Sequence, residues 1–561
     1  NPDGYGPKLF TSLQSAKTFL GLPAELDLPG PYKVPLFPKK FVNQRGAKAF
    51  WDITSRNGIR SNVIRVPVTF PPESVNGKML SGLGTPDLKG TQGTYFYWTE
   101  KRGNVSDKSG EAKTVFFSGS RAQSTLPGPR NTLRDRPRPI ELDVQFERLD
   151  TGTVIDVEGQ SPFFLEEGTW SDWKKLSFNM GLGMSASGIA RFHLNSTDPF
   201  ELYMTPIQIN PKDPVMQISH PEGYARKLAE RLGFFYTMGM AQDDQALKDD
   251  VLNDTTFIEQ NYQGLRERRR ILSLELRREN NGLLVGVFDT TDRIQHLMWR
   301  HRDEKHPLHD PERAENRAEV IPNVYRKMDR VLGEVLDSVD RSVPVMVVSD
   351  HGFVSFRRQF DVNTWLRENG HLSVRGNQSG PTGRFFRGRR GDFDVRWSET
   401  EAYQLGLTGI YLNLKGREGN GTVPRSERWE RAKTIKEDLE DVVDPKTGRK
   451  VFEEVYLSKN IYDGLRWEDG PDLILGYNEG YRTAWSSARG QVRDGKVITD
   501  NTNNWSGDHV VAAPQVEGTL MTSFPVEKSD PAITDVAPTV LRYYGIEPPA
   551  IVDGETLMDW D

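Results

Sequence analysis

Leu283-Leu284-Val285-Gly286-Val287-Phe288-Asp289-Thr290-Thr291-Asp292-Arg293-Ile294-Gln295-His296 is an apolar run that passes at once into a polar turn. The run reads as a buried strand, and the Thr290/Thr291 pair as a helix N-cap. A helix beginning there puts Asp292 and His296 at i and i+4, on one face, where both can reach a single cation. Alone, such an Asp-x-x-x-His pair more often marks a solvated helix face.

Two further segments change its weight. Val343-Pro344-Val345-Met346-Val347-Val348 reads as a second apolar strand and ends at Asp350-His351-Gly352, where the glycine permits a tight turn that exposes both side chains. Trp505-Ser506-Gly507-Asp508-His509 supplies a third histidine. In open α/β sheets ligands gather at the carboxyl ends of strands, and the first two segments deliver their ligands there. A mixed carboxylate and imidazole set suits Zn²⁺, with Mn²⁺ or Fe as substitutes. Asp289 is a weaker choice than Asp292, because it stands seven residues from His296 rather than four. His301, His306 and His309 lack a comparable strand context, and Pro307 interrupts any helix, so they read as a polar loop.

At 561 residues the chain is long enough for two or more domains. With 73 basic against 79 acidic residues its net charge of −6 carries no footprint for duplex nucleic acid. No run of 18 apolar residues suggests a transmembrane segment. The absence of cysteine removes disulfides, thiolate-bound zinc and thiol catalysis, and it favours an extracytoplasmic setting.

Residues 1 to about 40 read as an extended arm, 45 to 57 as helix, and Asn62 to Phe70 as a strand with Pro67 at an edge or bulge. From about 101 to 207 the pattern turns to period two. Ile140-Glu141-Leu142-Asp143-Val144-Gln145-Phe146 alternates, and Asp150-Thr151-Gly152 separates it from Val154-Ile155-Asp156-Val157 as a hairpin would. This stretch reads as an all-β module inserted into an α/β core made of 1–100 and 208–561, with Trp170 and Trp173 packing in it or rimming a substrate. Helical patterns return from Tyr224 to Glu279, where the charge run Arg266 to Arg270 reads as a solvated face. Strand and helix signals then alternate to the C-terminus, as in a doubly wound mixed sheet flanked by helices. Near 372–395, Arg384-Phe385-Phe386-Arg387-Gly388-Arg389-Arg390 reads either as a phosphate-recognising lid or as a flexible surface loop.

The three ligand segments, together with Phe50-Trp51-Asp52-Ile53, Gly84-Thr85-Pro86-Asp87-Leu88, Gly470-Pro471-Asp472-Leu473, Gly480-Tyr481-Arg482 and Ile533-Thr534-Asp535-Val536-Ala537-Pro538-Thr539, resemble the alkaline phosphatase superfamily, and within it the type I phosphodiesterase/nucleotide pyrophosphatase branch. The resemblance implies a two-metal site that hydrolyses phosphodiesters or pyrophosphates of small phosphorylated substrates. It implies one metal on Asp292, His296 and His509, the other on Asp350 and His351, and substrate contacts from Arg482 and Arg387. It also implies a further Asp ligand and a Thr or Ser nucleophile on an early strand and helix. The chain opens at Asn1-Pro2-Asp3-Gly4 and its first strong match falls near Phe50, so these are expected upstream of Asn1, on another part of the same polypeptide. Thr85, with Ser81 nearby, is the alternative nucleophile within the chain. A catalytically silent metal-binding scaffold, and a phosphonate- or sulfate-ester-cleaving or phosphomutase relative, are the competing functions.

Overall fold

The computed structural model describes residues 45–101, 109–240, 242–277, 281–375, 394–464 and 466–560, with short pieces between 8 and 43. The chain forms two compact units. The first includes Ile294–Tyr325 and Val345–Ser523, and the second comprises Tyr5–Arg293, Arg326–Pro344 and Phe524–Asp561. The architecture is mixed α/β, with several sheets and flanking helices.

The second unit contains a four-stranded sheet in the order Ser219–His220, Gly77–Leu80, Ser61–Ile64, Leu283–Gly286, the last three parallel. Helices Tyr224–Leu232 and Asp254–Leu276 supply Leu228 and Ile271 to a core with Ile64, Leu80 and Phe235. The longer helix is capped by Asn253, whose side chain accepts from the Thr256 N–H at 2.9 Å. The strand expected over Asn62 to Phe70 stops at Ile64, because Arg65 and Val68 adopt left-handed backbone. The turn sends the Arg65 guanidinium inward to the carbonyls of Ser81, Thr237 and Met238.

The alternating stretch forms three sheets, and the hairpin expected at Asp150 is present, with Leu149 opposite Gly152. Leu142, Val144 and Phe146 point into a core with Leu126, Ile155 and Leu176, while Glu141, Asp143 and Gln145 stay outside. Trp170 packs on His193 and Tyr203, and Trp173 on Tyr236. The Arg266 to Arg270 run is only partly a solvated face. Arg268 is buried against Asp289, and Glu267 turns in to meet the Trp173 indole at 3.2 Å.

In the first unit the strand Val354–Phe360 is the spine. It pairs in parallel with Gly480–Thr483 and antiparallel with Ile498–Asp500 and Gly507–Asp508. Beside it, a four-stranded sheet carries Ile410, Leu412, Leu473 and Leu475 into a core closed by Ile435 and Leu439 of helix Arg428–Glu440. The strand expected to be buried is not, and the second apolar strand is also open. Leu283–Gly286 is an edge strand of half-exposed residues, and Met346–Val348 pairs only with Leu520–Thr522, leaving Val347 and Val348 exposed. Apolar composition signals two covered faces, and each of these strands has one neighbour among the described residues.

Candidate metal centre

Helix Thr290–Met298 carries the first two residues of the site. It starts at Thr290, with the Arg293 N–H on the Asp289 carbonyl at 3.0 Å, so Asp289 precedes the helix and both threonines lie within it. The Asp289 carboxylate is held by Arg268 at 2.5 Å. The division between the units falls inside this helix, after Arg293, so Asp292 and His296 are placed one turn apart by one continuous element.

His296 is buried and its Nδ1 meets the Gly507 carbonyl at 2.8 Å. A carbonyl only accepts, so Nδ1 bears the proton and the lone pair lies on Nε2, the tautomer that metal-binding histidines take. The ring stacks on Trp505 with centroids 3.7 Å apart. Gly507 allows this docking. A Cβ there would fall 2.5 Å from the Gln295 carbonyl oxygen and 3.0 Å from the Trp299 side chain. The Ser506 N–H donates to the His296 carbonyl at 2.7 Å and its hydroxyl accepts from the Arg300 N–H at 3.0 Å, so the segment ending in His509 lies on the helix end.

Asp350 and His351 sit just before the spine strand, with Asp350 78% exposed and its carboxylate 3.5 Å from His351 Nε2. Gly352 is needed for a different reason from the one expected. Its backbone is not left-handed, but a Cβ would stand 2.8 Å from the Glu517 carbonyl oxygen, and its N–H donates to Val516 at 2.7 Å. Close passage of two backbones requires the glycine here.

The His351 and His509 rings are stacked at 3.5 Å, and His296 lies 5.1 Å from His509 between ring centroids, so histidines from three segments gather within the first unit. Imidazoles with a neighbouring carboxylate, here Asp350 beside His351, form a donor set suited to a borderline divalent cation. His509 thus lies nearest His351, whereas the resemblance pairs it with His296.

A buried ion pair stands behind His509. Asp508 is fully buried and accepts from the His509 N–H at 2.8 Å, the Val510 N–H at 3.0 Å and the Trp505 indole at 2.7 Å. Arg482 Nε pairs with it at 2.7 Å. Burial works to raise the Asp508 carboxyl, but Arg482, His296 and His509 hold it below the usual carboxylate range. Arg482, expected to contact substrate, is 1% exposed and lies over the Trp485 ring at 4.1 Å. It supports Asp508 from inside. An Asp before the terminal His and an Arg on the neighbouring strand were the only sequence signals for this pair.

Arg387 lies outside the described residues. Thr85 and Ser81 are buried in the second unit, their hydroxyls donating to the Gly82 and Thr69 carbonyls at 2.8 and 2.7 Å. His301 and His306 are buried rather than part of an open polar loop. His306 Nε2 meets the Phe356 carbonyl at 3.0 Å, and burial lowers its pKa to about 4. Among the described residues no helix is long and apolar enough to cross a membrane.

The match of a family model places the chain in the alkaline phosphatase superfamily. More narrowly, the chain belongs to the type I phosphodiesterase/nucleotide pyrophosphatase family, whose model matches residues 208–509, from just past the alternating β stretch to His509. A search of curated proteins finds no match.

Proposed function

We propose that this chain holds two divalent cations, Zn²⁺ first among them, at a centre that hydrolyses phosphodiester or pyrophosphate bonds of small substrates. The gathering of His296, His351 and His509 from three distant segments of the first unit carries this reading. Asp350, beside His351, and Asp292, one helical turn from His296, are the carboxylate donors of this proposal. Divalent cations at such a centre neutralise charge on the phosphoryl oxygens and the leaving oxygen. The chain's own part is to hold its ligands still. The Gly507 carbonyl fixes the His296 tautomer, the Trp505 stack fixes its ring, and Asp508 with Arg482 anchors the backbone of His509. In this reading the β stretch 101–207 is an insertion in the catalytic core, and the cysteine-free chain works outside the cytoplasm.

Membership of the family supports phosphoester hydrolysis, and the donor set supports its dependence on metal. Side-by-side turnover of a phosphodiester, a nucleotide pyrophosphate, a phosphomonoester, a sulfate ester and a phosphonate tests the substrate class. The diester or pyrophosphate is expected to turn over fastest. Preference for sulfate or phosphonate, or no turnover of any, would overturn the proposal.

A further inference from the structure

The strands Lys174–Gly181 and Met184–Ala190 are joined by Leu182-Gly183 alone, with Gly181 opposite Met184. Leu182 and Gly183 have φ of 54° and 73°, the pattern of a type I′ turn. The first central position of such a turn is one that Asn, Asp or Gly fills without strain, because a larger side chain crowds the left-handed backbone. Here it holds leucine, and that leucine is 49% exposed. Met184 beside it is 42% exposed. Leu182 therefore stands at the tip against both backbone preference and solvent preference, and such an outlier points to a use for the side chain.

A second hairpin tip lies against the first. The turn between Arg121–Arg130 and Pro139–Leu149 is anchored by Asn131, whose side-chain amide donates to the Met180 carbonyl at 2.9 Å, and by buried Leu133. From this turn Arg130, Arg134, Arg136 and Arg138 are exposed, with Asp135 the one acidic residue among them. In a chain of net charge −6 this is a local excess of positive charge, and it flanks two exposed apolar side chains.

We propose that these paired tips form a peripheral docking site for an anionic lipid surface, with Leu182 and Met184 entering the headgroup boundary and the arginines holding lipid phosphates. A projecting turn with two apolar side chains offers little area for a stable protein interface, which needs roughly 800 Å² per partner. It suits shallow insertion beside basic residues, where apolar burial and charge attraction add. The proposal stands independently of the metal centre.

Co-sedimentation of the full chain with vesicles of phosphatidylcholine alone, and of phosphatidylcholine mixed with phosphatidylglycerol, tests it. The protein is expected to bind the mixed vesicles, release them in high salt, and leave the neutral ones unbound. Leu182→Asn is expected to weaken binding about tenfold, and Arg136→Gln or Arg138→Gln about fivefold each. Asn accepts the left-handed backbone, so Leu182→Asn is expected to melt at or above the wild-type temperature, separating lost binding from lost fold. Equal binding to both vesicles, no vesicle binding, or full binding by Leu182→Asn would overturn the proposal. Capture by polyglutamate without binding to anionic vesicles would overturn it in favour of an acidic protein partner.

Discussion

In the first unit Asp444, Asp472 and Asp508 each face at least one guanidinium, whereas in the second Asp87, Asp243 and Glu267 face hydroxyls, an indole and backbone amides. Arg358 grips Asp444 through two bonds of 2.8 and 2.9 Å, Arg417 and Arg428 hold Asp472, and Arg482 holds Asp508. By contrast, Asp243 accepts from the Tyr203 hydroxyl at 2.8 Å, and Glu267 from the Trp173 indole and the Tyr236 N–H. Asp87 accepts from the Thr91 and Thr94 N–H groups. Burial works to raise Asp444 and Asp508, yet arginine keeps both below the usual range. Burial raises Asp87, and it takes Asp243 and Glu267 to about 7. A buried carboxyl is thus a fixed charge where arginine faces it and a titrating one where hydroxyl, indole and amide donors hold it. The unit that carries His296, His351 and His509 keeps the charge of Asp508 behind them constant.

Four substitutions break or sharpen this contrast. Asp508→Asn leaves Arg482 buried without its counter-charge, which costs about 3–5 kcal/mol of stability. Denaturant unfolding is expected to show it, together with roughly tenfold or greater loss of diesterase activity in the folded protein, because an outer partner of a ligand is removed. Activity equal to wild type would mean that Asp508 supports only the fold.

Asp243 gives the opposite kind of result. Its folded pKa of about 7 lies above the unfolded value, so the folded state binds more protons between pH ~4 and ~7, and stability falls as pH rises through that window. The loss is on the order of 4 kcal/mol. Asp243→Asn is expected to remove it, read as a flatter plot of unfolding free energy against pH. Unchanged curvature would show that Asp243 stays ionised in the fold.

His306 runs the other way. Its folded pKa of about 4 lies below the unfolded value, so its contribution is complete above pH ~6.5 and is lost as pH falls toward 4, by about 3 kcal/mol. His306→Gln, which keeps a donor for the Phe356 carbonyl, is expected to soften the acid limb while leaving stability at pH 8 within about 1 kcal/mol of wild type. Gly507→Ala is expected to cost about 1–3 kcal/mol of stability, since its Cβ would press on the Gln295 backbone. Its activity should fall further than its stability, because the pressed segment carries His509.

The candidate ligand residues stood out because their spacing is local. Asp292 and His296 needed only a helix, and Asp350-His351 only a strand end, so short-range periodicity located them. Which ligands lie closest was not legible, because His351 and His509 meet through the pairing of Val354–Phe360 with Gly507–Asp508, a contact between segments more than a hundred residues apart in the sequence. For the same reason Arg482 read as a substrate contact. A buried arginine and an exposed one look alike until the aspartate opposite is known. Arg268 misled similarly, since Arg266, Arg269 and Arg270 are exposed while it turns in to Asp289. The edge positions of Leu283–Gly286 and Met346–Val348 were hidden because apolar composition reports what a strand can cover, not how many neighbours it has. The alternating strands of the β stretch were read correctly from period two, where each residue's side of the sheet follows from its place in the strand.

The central claim is that His296, His351 and His509 help to hold a divalent cation needed for phosphodiester hydrolysis. Competition titration of the chelator-stripped, full-length natural protein with Zn²⁺, with turnover of bis(p-nitrophenyl) phosphate followed in the same samples, tests it most directly. Wild type should regain activity in step with zinc occupancy, and His509→Ala should bind zinc about 10–100-fold or more weakly and regain little activity. Full turnover by the stripped protein, or zinc affinity unchanged in His509→Ala, would contradict the account.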